Sequence, residues 1–313
     1  MDNLIIIEKC YEAKEGFYYN ESHYDKVIKD ECVILDMNTN KIIAILCKNV
    51  IPKEDRKKYV DILKSPAKSK TKNRGNGAGK VDIKRFPAKA EMLCDKDGKE
   101  LLEDKFYSSV FYKDKDGNFV NRGQSNMVRS GCAGYFDKRG VLPCRKVNWS
   151  NKNEDKHNAL IPLCECISDK HKEVDEESYN KQLERIEMKP EYRFGESIYS
   201  TLTLNYDFRT ASHRDKGDFK AGLSTLTILE EIPDNYIGLY LGLPEYKICF
   251  DVRDGDVLFF DTHEIHSNTE YKVLSDKLGI NKITDEDGMS DKYYAGRISI
   301  VAYLRERLYL CGT

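Results

Sequence analysis

The chain has 313 residues, of which 33% are charged and 40% are hydrophobic, and its formal net charge at pH 7 is −2. This length suffices for one large domain or two smaller ones with a buried core. No apolar run approaches the ~18–20 residues needed to span a bilayer, and residues 1–9 lack the basic leader of a signal peptide. We therefore expect an intracellular protein (cytoplasm, nucleus or viral factory), monomeric and without a membrane partner.

The ten cysteines are scattered along the chain. In the absence of a secretion signal, we expect reduced and mostly buried thiols. Cys164 and Cys166 lack the two-residue gap of a zinc knuckle, and Cys132 and Cys144 are isolated in sequence. The cysteines therefore predict no structural zinc site.

The first elements of the chain are a hairpin and a helix. Two apolar segments, 32–36 and 41–46, flank a polar turn, which predicts a β-hairpin. Pro52 then opens a charged helix that is predicted to end near Leu63. We expect residues 1–90 to pack on a main domain of residues 91–313, forming one compact unit.

A basic, glycine-rich stretch follows this helix. Residues 64–89 contain nine basic residues and one acidic residue, and three glycines between 75 and 79 predict a loop. Two interpretations stay open: a solvated surface loop, or an arm that contacts nucleic-acid phosphates. The candidate nucleic-acid contacts are Lys68, Lys70, Lys72, Arg74 and, further along the chain, Arg209.

The second half of the chain changes from helical to strand patterns. A short strand is predicted at 106–112, and helices are predicted at 154–167 and 176–187. Short predicted strands then follow at 198–206, 223–229, 237–242, 246–251, 256–261 and 297–304. This succession is typical of a jelly roll or double-stranded β-helix, here within an α+β fold. The polar insertion at 272–292 is interpreted as a tolerated loop, with a mobile lid as the alternative.

Three residues among these strands have the character of metal ligands. His213 and Asp215 would share one face of a strand, because side chains at i and i+2 point the same way, and His266 follows an apolar run. Two imidazoles and one carboxylate are the ligand set of non-haem Fe(II) oxygenases. His263 is the alternative distal ligand, but we favour His266.

A basic residue near the C-terminus completes the pattern. Arg297 and Ser299 would share one face of the last strand, where a guanidinium and a hydroxyl can hold a carboxylate. Asn205, on the strand before the His-x-Asp pair, is a further candidate for the same pocket. These residues predict a 2-oxoglutarate-dependent dioxygenase that uses Fe(II), 2-oxoglutarate and O2.

The same segments resemble a known family. The resemblance lies in residues 200–218, 261–269 and 297–305, and further upstream in 73–79, 130–137 and 143–145. They are similar to the oxygenase domain of the base J-binding-protein/TET family, more closely to its kinetoplastid, phage and giant-virus branch than to animal TET enzymes. The resemblance implies hydroxylation of the 5-methyl group of thymine or 5-methylcytosine in nucleic acid, with DNA as the expected partner. It also implies His213, Asp215 and His266 as iron ligands and Arg297 as the 2-oxoglutarate anchor.

Two other classes of function remain open from the sequence. One is a hydroxylase of a protein side chain, a small molecule or a free nucleotide, which would use the same iron site. The other is a catalytically silent nucleic-acid-binding module, against which the intact ligand set argues.

Overall fold

The computed structural model of this chain describes residues 3–79, 93–95, 97–101, 110–113, 116–123, 126–138, 141–274 and 295–312. The helices are α1 (Lys53–Ala67), α2 (Asn148–Lys152), α3 (Glu154–Asn158), α4 (Ile161–Val174) and α5 (Glu176–Glu187). The first ten strands are β1 (Leu4–Ile7), β2 (Lys26–Ile28), β3 (Cys32–Asp36), β4 (Ile42–Cys47), β5 (Lys70–Thr71), β6 (Leu93–Cys94), β7 (Val110–Lys113), β8 (Phe119–Gly123), β9 (Val128–Phe136) and β10 (Arg145–Lys146). The others are β11 (Thr201–Tyr206), β12 (Ser224–Glu230), β13 (Tyr236–Gly238), β14 (Leu241–Leu243), β15 (Ile248–Phe250), β16 (Val257–Phe260), β17 (Ser267–Asn268), β18 (Tyr271–Val273) and β19 (Arg297–Tyr303).

Two sheets face each other across an apolar core. The large sheet has the order β1-β3-β4-β16-β12-β19-β11-β9-β10, with β5 paired to β9, and the smaller one has the order β17-β14-β15-β2. Leu226 and Leu258 of the large sheet belong to the same buried cluster as Leu243 and Phe250 of the small sheet. Facing sheets with helices on one side form the predicted double-stranded β-helix within an α+β fold.

The helices cover the other face of the large sheet. Leu63 of α1 and Ile167 of α4 are buried with Leu204 of β11 and Ile300 of β19 in one cluster. Because side chains alternate along a strand, the neighbours Asn205 and Ser299 point to the opposite face. That opposite face borders the cavity described below.

The large sheet crosses the predicted boundary at residue 90. The β3–β4 hairpin is present as predicted, and β4 pairs antiparallel with β16, with Cys47 opposite Val257. Helix α1 begins at Lys53, directly after Pro52, but continues to Ala67. The first 90 residues thus contribute strands to the main sheet, and their division into a separate region stays a prediction.

Two predicted elements are each divided in the structure. The helix expected at 154–167 is divided into α3 and α4, and Pro162 lies in the first turn of α4, where its missing N–H costs no hydrogen bond. The strand expected at 237–242 is divided into β13 and β14. Between them Gly238 and Leu239 have φ of 96° and 54°, values that interrupt an extended strand.

Two further predicted segments lie partly outside the described residues. Strand β7 overlaps the strand predicted at 106–112 and extends one residue beyond it, while residues 106–109 are outside the described part of the chain. The insertion at 272–292 also lies largely outside it, since the description stops at 274 and resumes at 295. Within the described ranges, no helix is long and apolar enough to cross a membrane.

The expectation that all cysteines are reduced is wrong for one pair. Cys144 and Cys311 form a disulfide although 167 residues separate them in sequence. Their spacing gives no hint of this contact, because the fold alone brings the residue before β10 to the C-terminal segment. The other eight cysteines are free thiols.

Candidate active site

The His-x-Asp pair lies in a loop after β11 rather than on the strand itself, which corrects the sequence prediction. Strand β11 ends at Tyr206, and His213 forms an isolated antiparallel bridge with His266. In this bridge the backbone N–H of each histidine donates to the carbonyl of the other, both at 3.0 Å. The N–H of Asp215 donates to the Thr262 carbonyl at 2.9 Å. Reciprocal backbone bonds therefore hold together two segments that are distant in sequence.

The side chains of His213, Asp215 and His266 converge on one point. Their potential ligand atoms all lie within 4.8 Å of one another. The Nε2 atoms of His213 and His266 each lie 3.6 Å from a different oxygen of the Asp215 carboxylate. These distances exceed a hydrogen bond and suit three ligands on one face of a metal ion.

The second nitrogen of each imidazole is occupied by the backbone. His213 Nδ1 lies 2.8 Å from the Ala211 carbonyl, and His266 Nδ1 lies 2.9 Å from the Glu264 carbonyl. A carbonyl can only accept, so each Nδ1 carries the proton and each Nε2 keeps a free lone pair. Such a partner orients a metal-binding histidine and fixes its tautomer.

The charge states of His213 and Asp215 also suit a cation. Burial and the neighbouring His266 lower the pKa of His213 to about 4, which keeps its imidazole neutral. Burial alone would raise the pKa of Asp215, but its interactions with His266 and His213 outweigh burial and lower that pKa. The result is an ionised carboxylate beside an imidazole lone pair, the donor state that a metal requires.

His263, the alternative distal ligand, is engaged elsewhere. Its Nδ1 lies 3.2 Å from the Asp261 carboxylate, which raises the pKa of His263. His266 is the histidine that joins the cluster.

Arg297 places a buried guanidinium at the start of β19. Its side chain is among the largest fully buried ones, and its Nε and Nη2 atoms have no hydrogen-bond partner among the described residues. An uncompensated buried charge is costly. A carboxylate from a bound molecule would satisfy both nitrogens, so the arginine fits the dicarboxylate co-substrate predicted from the sequence.

A polar row across three strands lies next to this arginine in the sheet. Asn205 of β11 is opposite Ser299 of β19 and opposite Ser130 of β9. Asn205 Nδ2 donates to Ser299 Oγ at 3.2 Å, whereas Asn205 Oδ1 and Ser130 Oγ are buried without a partner in the described structure. Ser299 and Asn205 therefore lie in one row that lines the cavity, and Ser130 joins them, although the sequence analysis did not name it as a candidate site residue.

Asp207 positions the start of β19 and was also missed. Its carboxylate accepts the backbone N–H of Arg297 at 2.8 Å and that of Gly296 at 3.3 Å. Burial raises the pKa of Asp207 to about 6, against the effect of these two bonds and of the Arg297 charge. An aspartate after a strand is common, and only the fold shows that this one meets Arg297 90 residues later.

The ligand triad and the polar row open into one cavity of about 580 Å³. Its walls combine aromatic and basic side chains, among them Phe136, Trp149, Phe260, Tyr303, Arg74, Arg145 and Arg305. Arg305 is buried, and its guanidinium donates to the Tyr303 hydroxyl at 2.9 Å and lies 3.4 Å from Asp137. The cavity has the size and lining of a small-molecule site.

The basic stretch borders the mouth of this cavity. Ser69, Thr71 and Asn73 line the cavity, whereas the alternating residues Lys70 and Lys72 are exposed. Arg74 lines the cavity as well, and Lys68 lies over the Tyr206 ring, 4.3 Å from its centroid. The basic residues at positions 80, 84, 85 and 89 lie outside the described residues.

Arg209 occupies a different environment from the one predicted. It is buried, stacks on the Tyr18 ring and donates to the Asn20 side chain at 2.6 Å. These contacts attach the N-terminal segment to the core, so the position of Arg209 does not support a contact with nucleic acid.

Comparisons with known proteins identify the family of the chain. Residues 131–306 match Tet_JBP, the oxygenase domain of the 2OGFeDO superfamily. The chain is 37% identical over 159 residues to thymine dioxygenase JBP1 of Trypanosoma brucei brucei, a match that covers 50% of this chain and 18% of that protein. It is 35% identical over 183 residues to the bifunctional helicase and thymine dioxygenase JBP2 of the same organism, covering 56% of this chain and 15% of that protein. The matched segment is thus a small part of these relatives.

A solved structure shares the fold. It is described as NgTET1 in complex with 5mC DNA, with a TM-score of 0.53, 14% identity, and coverage of 98% of this chain and 84% of that one. At 14% identity this structural likeness supports the double-stranded β-helix fold alone. The family is assigned by the match of residues 131–306. The chain belongs to the Tet_JBP family, the oxygenase domain of the 2OGFeDO superfamily, whose cofactors are Fe(II), 2-oxoglutarate and O2.

Proposed function

We propose that this chain hydroxylates the 5-methyl group of thymine or 5-methylcytosine in nucleic acid, with DNA as the substrate. The observation that carries the proposal is the convergence of three potential ligand atoms, and a buried arginine with two nitrogens unpartnered in the described structure supports it. The relatives named thymine dioxygenases support the choice of a base methyl group.

In this proposal His213, Asp215 and His266 hold Fe(II), and Arg297 holds the distal carboxylate of 2-oxoglutarate. Ser299 and Asn205 contribute a hydroxyl and an amide to the same end of the pocket. When bound, the metal and co-substrate supply an O2-dependent hydroxylation: one oxygen atom enters a C–H bond, and the other enters succinate as CO2 is released. The chain's own residues bind and orient the substrate, and they keep water away from the reacting carbon.

The shape of the cavity restricts how DNA can reach the iron site. A cavity of about 580 Å³ accommodates a single base beside the co-substrate but no duplex. The target base must therefore be extruded or already single-stranded. The aromatic wall offers faces on which an extruded base can stack, which is worth about 1–3 kcal/mol per base.

Basic residues at the mouth fit the backbone of such a substrate. In this proposal Lys70, Lys72 and Arg74 contact the phosphates next to an extruded nucleotide. Lys68 is less available, because burial and then Lys64 lower its pKa and it packs on Tyr206. Contacts of this kind weaken steeply with salt.

The direct test is mass spectrometry of nucleosides after incubation with Fe(II), 2-oxoglutarate and DNA. Three parallel substrates separate the alternatives: thymine-containing DNA, 5-methylcytosine-containing DNA, and the free nucleotides. We expect a hydroxymethyl base from one of the two DNAs. A product only from free nucleotides, or succinate release without any oxidised base, would contradict the proposal and favour another hydroxylase substrate.

A further inference from the structure

Arg214, the residue between the two ligands of the His-x-Asp pair, bridges the two halves of the candidate metal site. Its guanidinium donates to the His263 carbonyl, in the segment that carries His266. Its Nη2 atom also lies 3.3 Å from both carboxylate oxygens of Glu245. One side chain therefore joins the proximal ligand pair to the loop of the distal ligand and to the turn between β14 and β15.

Two further charged residues close this arrangement into a cluster. Lys9 lies 3.0 Å from Glu245 and also pairs with Glu264, and Arg214 lies 3.8 Å from Glu264. We call Lys9, Arg214, Glu245 and Glu264 the charge clamp. The side chains of Glu245 and Glu264 are only 11% and 16% exposed, so this is not an ordinary solvated surface pair.

The clamp reaches the distal histidine through the main chain. The carbonyl of Glu264 is the acceptor for His266 Nδ1 at 2.9 Å, the bond that sets the orientation of this ring. The side chain of Glu264 is held by Lys9, and the preceding carbonyl, that of His263, is held by Arg214. A shift of residues 263–264 would rotate the His266 ring away from Asp215.

We propose that Arg214 and Glu245 are positioning residues that set the metal affinity of the site by fixing the His266 segment against the His-x-Asp pair. This inference rests on the proposed function, since it presumes that the three residues bind a metal. Removing a hydrogen-bond partner of a metal-binding histidine typically lowers the metal affinity 10–100-fold.

Whether each substitution strengthens or weakens metal binding distinguishes a positioning role from a purely electrostatic one. Removing the positive charge of Arg214 near a dication would by itself strengthen metal binding, and removing the negative charge of Glu245 would weaken it. Positioning predicts that both substitutions weaken binding. It further predicts that the two losses are less than additive in the double variant, because the Arg214–Glu245 contact is lost in both single variants.

The experiment is an anaerobic titration of the full, metal-free chain with Co(II), followed by the visible absorption of the bound ion. We expect Arg214→Gln and Glu245→Gln each to weaken Co(II) binding about tenfold, and Arg214→Lys to recover part of the loss. Arg56→Gln is the matched control, because Arg56 likewise donates to a carbonyl, that of Ile51, and pairs with a carboxylate, Asp254. The control should bind Co(II) like the wild type.

Co(II) binding by Arg214→Gln that equals or exceeds that of the wild type would overturn the clamp while leaving the iron site intact. Wild-type protein that binds no Co(II) would instead overturn the proposed function, and the clamp with it. If Arg214→Gln does not fold, as judged by circular dichroism, Arg214→Lys and Glu245→Gln decide: wild-type affinity in both would overturn the inference.

Discussion

Histidines on the two sides of the large sheet differ in how their ring nitrogens are used. On the helical side, His171 has both nitrogens within hydrogen-bond distance of hydroxyls, Tyr199 at 2.9 Å and Ser178 at 3.1 Å. On the cavity side, the Nδ1 atoms of His213 and His266 are held by carbonyls and their Nε2 atoms face one carboxylate at 3.6 Å. A histidine with both nitrogens satisfied contributes to the fold, and one with a free lone pair is prepared for a ligand.

Among the variants that test this comparison, His213→Ala is expected to have the largest effect. Removing one of three ligands should abolish 2-oxoglutarate turnover, measured as succinate release, because no fourth protein ligand is present in the described cluster to replace it. The matched control is His263→Ala, which removes the alternative histidine and should retain turnover. Wild-type-like turnover in His213→Ala, or its loss in His263→Ala, would contradict the assignment.

Arg297→Met separates co-substrate binding from folding stability. The KM for 2-oxoglutarate should rise about 100-fold, equivalent to about 2.7 kcal/mol, because a charge-assisted pair is removed. The melting temperature of the protein without co-substrate should not fall, because the removed guanidinium has two unpaired buried nitrogens in the described structure. An unchanged KM together with a large loss of stability would show that Arg297 is a structural residue.

The helical side predicts a pH dependence of folding stability. Burial lowers the pKa of His171 to about 3, whereas the unfolded value is about 6.5. Between these values the unfolded chain binds the extra proton, so this contribution is complete above pH 6.5 and is lost as the pH falls toward 3. At pH 5 the loss is about 2 kcal/mol.

Urea unfolding of the wild type and His171→Phe across pH 5–7.5 measures this contribution. The destabilisation caused by the substitution should be about 2 kcal/mol smaller at pH 5 than at pH 7.5, because only the wild type has the buried imidazole to protonate. A difference between the two proteins that does not change with pH would contradict the prediction.

The smallest effect is expected at the mouth of the cavity. Lys70→Gln with Lys72→Gln should weaken DNA binding several-fold and reduce the slope of log affinity against log salt, by ~0.7–0.9 for each phosphate that is no longer neutralised. Succinate release without DNA should not change, since both lysines are exposed and outside the cavity lining. Lys57→Gln with Lys181→Gln, two exposed helical lysines, is the control with the same change of charge. An unchanged salt slope in the Lys70/Lys72 variant would contradict the interpretation of the basic stretch as an arm that contacts phosphates.

The sequence predicted the residue types of the candidate site better than the secondary structure that holds them. Residue type and order selected His213, Asp215 and His266, which the structure brings together, whereas the roles of Arg297 and Ser299 stay predictions. It placed the His-x-Asp pair on a strand, however, and the pair actually lies in a loop held by a bridge between residues 213 and 266. Pairing between distant segments is invisible to local periodicity, since it depends on register across the fold.

The same limit explains the other omissions. Ser130, Asp207 and Arg214 belong to common residue types that did not stand out as candidate site residues, and each has its contact with a partner 31–90 residues away. The hairpin at 32–46 and helix α5 were correct because turn residues and helical spacing act locally. The disulfide was missed because its two cysteines meet only in the folded chain.

The central claim is an O2-dependent transfer of one oxygen atom to a base methyl group. It is tested most directly by incubating the chain with Fe(II), 2-oxoglutarate, thymine- or 5-methylcytosine-containing DNA and O2 labelled with heavy oxygen. We predict one heavy oxygen atom in the hydroxymethyl base and one in succinate, in equal amounts, and neither product with His213→Ala. Labelled succinate from the wild type with no labelled base in either DNA would contradict the account.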